Sequence, residues 1–303
     1  YNQPNKVTIK VAATNPCLEV IDNYSGNLLK IKDVKVIDNY FTFNYTFAPG
    51  ESLQLYVSDM FHGNKDDYFD IEDYSNKEAI TKLDNNFVIK DIGEGNILTL
   101  DRCRYRVDNG PWIYDDTIVI HHRLLKLEKE CLLEMEYDFT LDEDFDLSSK
   151  LTLVTETPEE FSYKLNGLEF SNNVCGTLFD QAFKKLTLPS NLKVGKNTLY
   201  MKTNYHQNDE VYSSLRKAKE FETEYNKLVF NSEVESSYLV GDFKVKNDGI
   251  IEDLLKGAQR YCGNFSLGRK LTNQTIDASN LTSNGLLFYS GKVKLVKEFN
   301  LTK

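Results

Sequence analysis

The chain has little sulfur, little histidine and no long apolar run. Its 303 residues include five cysteines, three methionines, four histidines, six prolines and a single tryptophan. Cys17, Cys103, Cys131, Cys175 and Cys262 are an odd set with no close pair and no CxxC. That pattern argues against a disulfide scaffold and spells out no zinc site. Free cysteines of this kind are small buried hydrophobes, and a reducing, cytoplasmic setting is expected. No apolar stretch approaches the ~20 residues of a membrane span, so no membrane partner is expected. The N-terminal YNQPNKVTIKV lacks the basic start and apolar centre of a secretory signal. It also lacks an initiator Met, and Val7 to Val11 already has the alternation of a strand, so the sequence is expected to begin within a longer polypeptide. With 36 basic against 46 acidic side chains the net charge is −10. Nucleic acid is therefore not an expected partner, because phosphate binding needs clustered Lys and Arg. No GxSxG, HExxH or P-loop occurs, and Gly93-Glu94-Gly95 lacks the rest of a nucleotide fingerprint. No cofactor is implied.

What is present is β-forming. Aromatics make up 12% of the chain, with 18 Tyr and 18 Phe, a composition that suits pleated, half-buried surfaces. The length allows about two domains at roughly 100 to 200 residues each. Residues 1 to 58 alternate as VTIKVAA, CLEVIDNYSG, KVIDNYFTFNYTFAPG and SLQLYVSD, cut by turn clusters. Residues 59 to 95 are mixed and polar and read as a connector. Within it Ser75 to Leu83 has the capping-box spacing of one short helix, Ser75 with Glu78. From Asn96 the pattern is strongly β: NILTLDRCRYRVDNGPW, IYDDTIVIHHRLL, CLLEMEYDFTL. Asp108 to Pro111 is a firm turn, and Asn166-Gly167 between SYKL and LEF is a strong hairpin signal. The segment Val211 to Lys227 is the best helix candidate, with Leu215, Ala218, Phe221 and Tyr225 at helical spacing. Ile250 to Gln259 reads as a second short helical piece, followed by the β-like LLFYSGKVKLVKEFNL.

Several phrases carry a resemblance. Leu98 to Trp112 (LTLDRCRYRVDNGPW), the Lys164-Leu165-Asn166-Gly167 turn, Leu192 to Leu199 (LKVGKNTL), Glu233 to Val245 (EVESSYLVGDFKV) and Gly285 to Val293 (GLLFYSGKV) resemble a group of bacterial glycoside hydrolases. In these, family 2-like sugar-binding jelly rolls follow a catalytic barrel. The first 58 residues look like the small β domain that closes such a barrel. The resemblance implies an all-β fold of tandem β-sandwiches, with a galactose-binding-like jelly roll and one or two short helices. The expected divisions are a small β-sandwich over 1–58, a connector over 59–95, the jelly roll over 96–246 and a partial second β unit over 247–303. Nothing here alternates strand and helix as a (β/α)8 barrel requires, so no catalytic residue is carried over.

The expectation is a non-catalytic carbohydrate-binding or scaffold region of a glycoside hydrolase, with carbohydrate and an upstream catalytic domain as partners. The alternative is a protein-interaction or adhesion β-sandwich without sugar affinity, since fold alone does not decide. A glycosidase needs two carboxylates facing each other about 5 to 9.5 Å apart. Pairs such as Glu156 with Glu159, or Asp115 with Asp116, lie in no motif that sets such geometry. Adjacent His121 and His122 would point to opposite faces of a strand and could not share a metal. His62 and His206 have no ligand-spaced partner. Sugar binding uses an aromatic face against the apolar side of a pyranose, with polar groups on its hydroxyls. Trp112, Tyr114 and Asp115, just after the Asp108 turn, are the right material for such a platform; the reading favoured over it is that Trp112 plugs one end of the sandwich core, as large aromatics do. Tyr205 and His206, in TNYHQNDE, are the second sugar-binding candidates. Asp101 and Asp242 are candidates for holding turns.

Overall fold

A computed structural model describes residues 4–23, 25–32, 34–64, 67–69 and 81–301. The chain divides into two units, 1–82 and 83–303. The first unit contains β1 (Asn5–Ala12), β2 (Cys17–Ile21), β3 (Leu28–Ile31), β4 (Lys35–Ile37), β5 (Tyr40–Phe47), β6 (Gln54–Ser58) and β7 (Tyr68–Phe69). They form a three-stranded sheet, β1-β5-β4, and a four-stranded sheet, β6-β2-β3-β7. Strict alternation in YFTFNYTF turns Phe41, Phe43 and Tyr45 inward, where they meet Leu18, Val20 and Ile31 of the other sheet. The Ala48-Pro49-Gly50-Glu51 turn is held by its own Glu51. That carboxylate accepts bonds from the Ala48 N–H (2.7 Å) and the Tyr45 hydroxyl (2.5 Å). Residues 67–69, inside the stretch read as a connector, supply β7, which pairs with β3. Of the helix expected at Ser75 to Leu83, residues 75–80 lie outside the described residues, and 81–83 form no helix.

The second unit opens with β8 (Asn86–Asp91), β9 (Asn96–Leu100), β10 (Arg102–Val107), β11 (Ile113–Asp116), α1 (Thr117–Leu127) and β12 (Cys131–Leu141). It continues through β13 (Thr152–Thr155), β14 (Ser162–Leu165), β15 (Leu168–Phe170), β16 (Val174–Leu178), β17 (Asp180–Thr187), β18 (Gly195–Tyr205) and α2 (Asp209–Ala218). The last strands are β19 (Ser237–Gly241), β20 (Val245–Asn247), β21 (Ile251–Asp253), β22 (Gln259–Tyr261), β23 (Phe265–Leu267), β24 (Thr275–Asp277) and β25 (Lys294–Val296). An eight-stranded sheet follows the order β11-β10-β12-β18-β14-β15, with β23 parallel to β12 and β20 beyond it. A five-stranded sheet, β16-β17-β13-β19-β9, supplies the other layer. The fold is thus an all-β sandwich. Its core lies between these layers, where Leu133, Met135, Tyr137, Phe139 and Leu141 of β12 meet Leu153, Leu186 and Leu239. The final strands do not stand apart: β24 and β25 flank β8 in a small sheet over Ile89, Ile92 and Ile276.

Two elements differ from the sequence reading. Thr117–Leu127, read as strand, is α1, a helix that buries Ile120, His121, Leu124 and Leu125 on one side. A short apolar run rich in Ile and Val fits either period, and here packing under the sheet decides for the helix. His121 and His122 are therefore helical neighbours, not strand neighbours. His121 is buried, its Nδ1 accepts the Val234 N–H (3.2 Å), and burial pushes its pKa down to about 4. The second difference is Ile250 to Gln259, expected as helix, which forms the β21–β22 ribbon. Lys256 at its tip takes a left-handed φ of 61°, which no helix interior accommodates. The other helix candidate, Val211 to Lys227, is realised as α2 followed by a 3₁₀ stretch over Glu222–Lys227. Asn208 caps α2, accepting the Val211 N–H at 3.0 Å.

Candidate functional site

The β10–β11 hairpin places the tryptophan. Asp108 and Asn109 both take positive φ (49° and 56°), and the Gly110 N–H donates to the Val107 carbonyl at 2.8 Å. Such a turn has the twist that two antiparallel strands need, and Asp and Asn tolerate its left-handed positions. Asp108 also accepts the Leu132 N–H (2.9 Å) and pairs with Lys129 (2.9 Å), which together hold its carboxyl below the usual range.

Strand alternation then sorts the side chains into two faces. Cys103 and Tyr105 turn into the core, and burial pushes the Cys103 thiol up to about 12. Arg102, Arg104 and Arg106 turn outward. Trp112 does not plug the core. It lies on the outer side of the sheet, partly exposed, with the Arg106 and Arg104 guanidinium groups 4.8 and 5.8 Å from its ring centroid. Tyr114 lies 5.0 Å from the Arg102 guanidinium and keeps 58% of its surface in water.

Each of these arginines is held by a carboxylate. Arg106 makes two bonds to Glu134 (2.6 and 2.9 Å), Arg104 pairs with Glu136, and Arg102 pairs with Asp116 (2.6 Å). Glu134 is only 5% exposed although it faces outward, because Arg106 and Tyr200 cover it. The Tyr200 hydroxyl donates to Glu134 at 2.5 Å. These bonds, the Arg106 one foremost, hold the Glu134 carboxyl below its ordinary range. Burial and the neighbouring Glu134 push Tyr200 up. Register makes the pattern a set of rows. One runs Tyr114, Arg104, Glu136, Tyr200, Lys164, Glu169 across six strands, each residue opposite the next. The surface is a flat polar lattice with aromatic rings at one edge.

The other sugar candidates fall elsewhere. Asp115 points to the opposite face from Trp112 and Tyr114 and pairs with Arg123 of α1 at 2.6 Å. Tyr205 is fully buried at 0% exposure; its hydroxyl accepts a bond from Gln207 (3.1 Å), and burial pushes it up to about 12. It serves the core and has no face open to a ligand. His206 is half-buried and fixes a loop through Ser232, 3.0 Å from its Nδ1. Asp242 accepts the Leu271 and Thr272 N–H groups at 2.9 and 3.2 Å, as a residue holding a turn would.

On the Asp115 side, a cavity of about 370 Å³ opens between the hairpin and α1. Val107, Pro111, Ile113 and Leu127 supply its apolar wall, and Arg123 and Lys129 stand at its rim, both already in ion pairs. Asp115 and Asp116, paired with Arg123 and Arg102, do not face one another. Glu156, Glu233 and Glu235 surround a dent of only about 10 Å³, too small for a sugar. Crowding by burial and by the Glu156 charge raises the Glu233 and Glu235 carboxyls. Among the described residues no group of three or more His, Cys, Asp or Glu could hold a metal ion, and no helix is long and apolar enough to cross a membrane.

Sequence reasoning missed Arg102, Arg104, Arg106, Glu134, Glu136 and Tyr200. The signal was available in RCRYRV and LEMEYD, where polar residues of opposite sign alternate with core residues on neighbouring strands. Opposite charges facing across strands are a stabilising pair.

No protein-family model matches the chain, and no curated protein matches its sequence. Among solved structures, the chain is similar to a β-D-mannosidase from Dictyoglomus thermophilum over 58% of its length and 31% of that chain, with 12% identity and a TM-score of 0.29. A rhamnosidase from Novosphingobium sp. PP1Y is similar over 78% of this chain and 22% of its own, with 11% identity and a TM-score of 0.24. The chain thus spans less than a third of either protein. Overlaps this loose carry no function from those proteins to this one.

Proposed function

We propose that the second unit is a carbohydrate-binding β-sandwich, non-catalytic in itself, within a glycoside hydrolase whose catalytic barrel lies elsewhere in the polypeptide. The observation that carries this reading is the position of Trp112. The indole lies outside the core, on two guanidinium groups that are each fixed by a carboxylate, with exposed Tyr114 on the same face. An aromatic ring of this kind accepts the apolar face of a pyranose, and neighbouring Arg, Glu and Tyr groups donate to and accept from its hydroxyls. Because the ion pairs already hold these groups in place, little order is lost on binding. The sequence phrases that resemble sugar-binding jelly rolls point the same way. On this reading carbohydrate and the upstream catalytic domain are the partners, and the setting is cytoplasmic.

The test is a titration of the full chain with a panel of neutral oligosaccharides by calorimetry. A member of the panel is expected to bind, and W112A to weaken it at least about tenfold, as loss of a stacking contact worth roughly 1.5 kcal/mol implies. Y114A should weaken it less. A panel that binds nowhere, or a W112A chain that binds as before, overturns the reading.

One observation favours a second reading, a protein-interaction module. The β21–β22 ribbon ends in Leu254 and Leu255, and Leu255 is 90% exposed beside exposed Ile250 and Ile251. Clustered exposed aliphatics mark contact surfaces. A null result with every sugar would leave this reading standing.

A further inference from the structure

Lys244 is the cation left without a counter-charge in a built pocket. Among the described residues its ammonium makes no hydrogen bond and no ion pair, although the chain carries a net charge of −10. Its neighbour Lys246 is fully engaged, with Asp142 at 2.8 Å and both oxygens of Asp144 at 3.0 Å. Lys270 is likewise taken, by Asp146 at 2.7 Å. The local acids thus satisfy other lysines and leave Lys244 alone.

The side chain is held in position. Fully buried Asn96 donates through Nδ2 to the carbonyls of Phe243 (2.9 Å) and Gly285 (2.7 Å), tying together the two segments that carry Lys244 and Gly285. Val245 adds a bond to the same Gly285 carbonyl at 3.0 Å, and the Lys244 N–H donates to Arg269 at 2.9 Å. The aliphatic stem of Lys244 lies along Gly285. A Cβ on that glycine would sit 2.3 Å from the lysine Cγ, and the glycine φ of +98° is itself unfavourable for other residues. Only glycine leaves this lane open.

Lys244 and the already paired Lys246 both line a cavity of about 330 Å³, the small end of the range for small-molecule sites. Thr282, Ser283 and Asn247 supply polar groups around it, and the Thr282 hydroxyl makes no bond among the described residues. Ile251 and Leu287 supply apolar surface, while the Val245 side chain is buried in the sandwich core. The Ser283 hydroxyl and the Asn247 amide already bond Asn280, Asn264 and Gly249, which fixes them in place; with the unpaired ammonium and the Thr282 hydroxyl they suit an anionic ligand that carries hydroxyls. We propose that this pocket binds a free sugar acid, with the carboxylate on Lys244 and the ring hydroxyls toward Thr282, Ser283 and Asn247. The pocket is separate from the Trp112 face, and the proposal does not depend on the reading given to that face.

The test is an NMR titration of the ¹⁵N-labelled full chain with D-glucuronate, with D-glucose and acetate in parallel. Glucuronate is expected to shift the amides of Lys244, Asn247 and Ser283, while glucose and acetate shift them far less. K244M should weaken glucuronate about tenfold or more, the loss expected for one charge-assisted hydrogen bond. Binding should also weaken as salt is raised. T282V, which leaves the charge in place, should weaken it less; it also serves if K244M disturbs the fold. K217M, on α2, should change nothing. Glucose or acetate binding as well as glucuronate, indifference to K244M in a chain whose spectrum is otherwise intact, or no shift of these amides overturns the proposal.

Discussion

Across the outer face of the four-stranded sheet in the first unit, opposed positions are Tyr56, Glu19, Lys30 and Tyr68. Across the outer face of the eight-stranded sheet they are Tyr114, Arg104, Glu136, Tyr200, Lys164 and Glu169. Both rows set aromatic rings and basic groups around a carboxylate, yet they end in different states. In the first, the segment carrying Phe61, His62 and Gly63 folds over the row. Glu19 is 0% exposed and accepts the His62 N–H (3.0 and 3.1 Å) and the Gly63 N–H (2.8 Å). Phe61 covers Lys30, whose ammonium is 4.6 Å from the ring centroid. In the second, no loop among the described residues closes the row, and Arg104 and Lys164 satisfy Glu136 and Glu169. The difference teaches which polar row is structure and which is surface. A carboxylate saturated by backbone N–H groups fastens a loop, while one saturated by side chains leaves a patterned face that a ligand can meet.

The largest expected effect lies in the closed row. Glu19→Ala leaves two backbone donors without their acceptor and should lower stability by about 3 kcal/mol, read as a fall in the urea midpoint. Gly63→Ala should hurt comparably, because its Cβ would sit 1.9 Å from the Leu28 carbonyl oxygen. If either variant unfolds like the parent chain, the loop is not fastened by Glu19.

On the same open face, in the neighbouring row where Glu134 stands opposite Arg106 and Lys202, Glu134→Gln should cost about 2 kcal/mol at neutral pH by releasing Arg106 and Tyr200. The carboxyl is held below its unfolded-state value, so its contribution is present above that value and is lost as pH falls through the lower folded one. The gap between parent and variant should therefore close in acid. A gap that stays constant with pH would mean that the Glu134 charge is not what stabilises this face.

The smallest effect has the opposite sign. The raised carboxyl of Glu233 binds its proton more tightly in the folded chain, so its contribution is fullest in acid and is lost as pH rises through the raised value. Glu233→Gln mimics the neutral acid. It should match the parent in acid and exceed it at neutral pH by about 0.5 kcal/mol, a small figure because the group keeps water contact. A variant less stable than the parent at neutral pH would contradict the assigned strain.

Where a strand alternates over its whole length, the sequence is enough: CLLEMEYDFTL yields β12 and its six inward residues, Cys131 to Leu141, without help. The two-residue period alone separates Asp115 from Trp112 and Tyr114, and it puts Tyr205 in line with inward Leu199 and Met201. Thr117–Leu127 and Ile250–Gln259 are different. Both are short and apolar and fit two periods, so their state is set by what they pack against or by one left-handed residue. The rows of the open face are legible only as ingredients. Which arginine meets which glutamate depends on the register of β10 against β12, and register is a property of the assembled sheet.

The most direct test of the open face uses Trp112 itself, since it is the one tryptophan in the chain. Its emission should be recorded while the full chain is titrated with the oligosaccharide that binds best in calorimetry. The expected result is a saturable change in intensity and a blue shift as the sugar displaces water from the indole, with a midpoint equal to the calorimetric one. Saturating sugar with no change in Trp112 emission would place the bound glycan elsewhere and contradict the account.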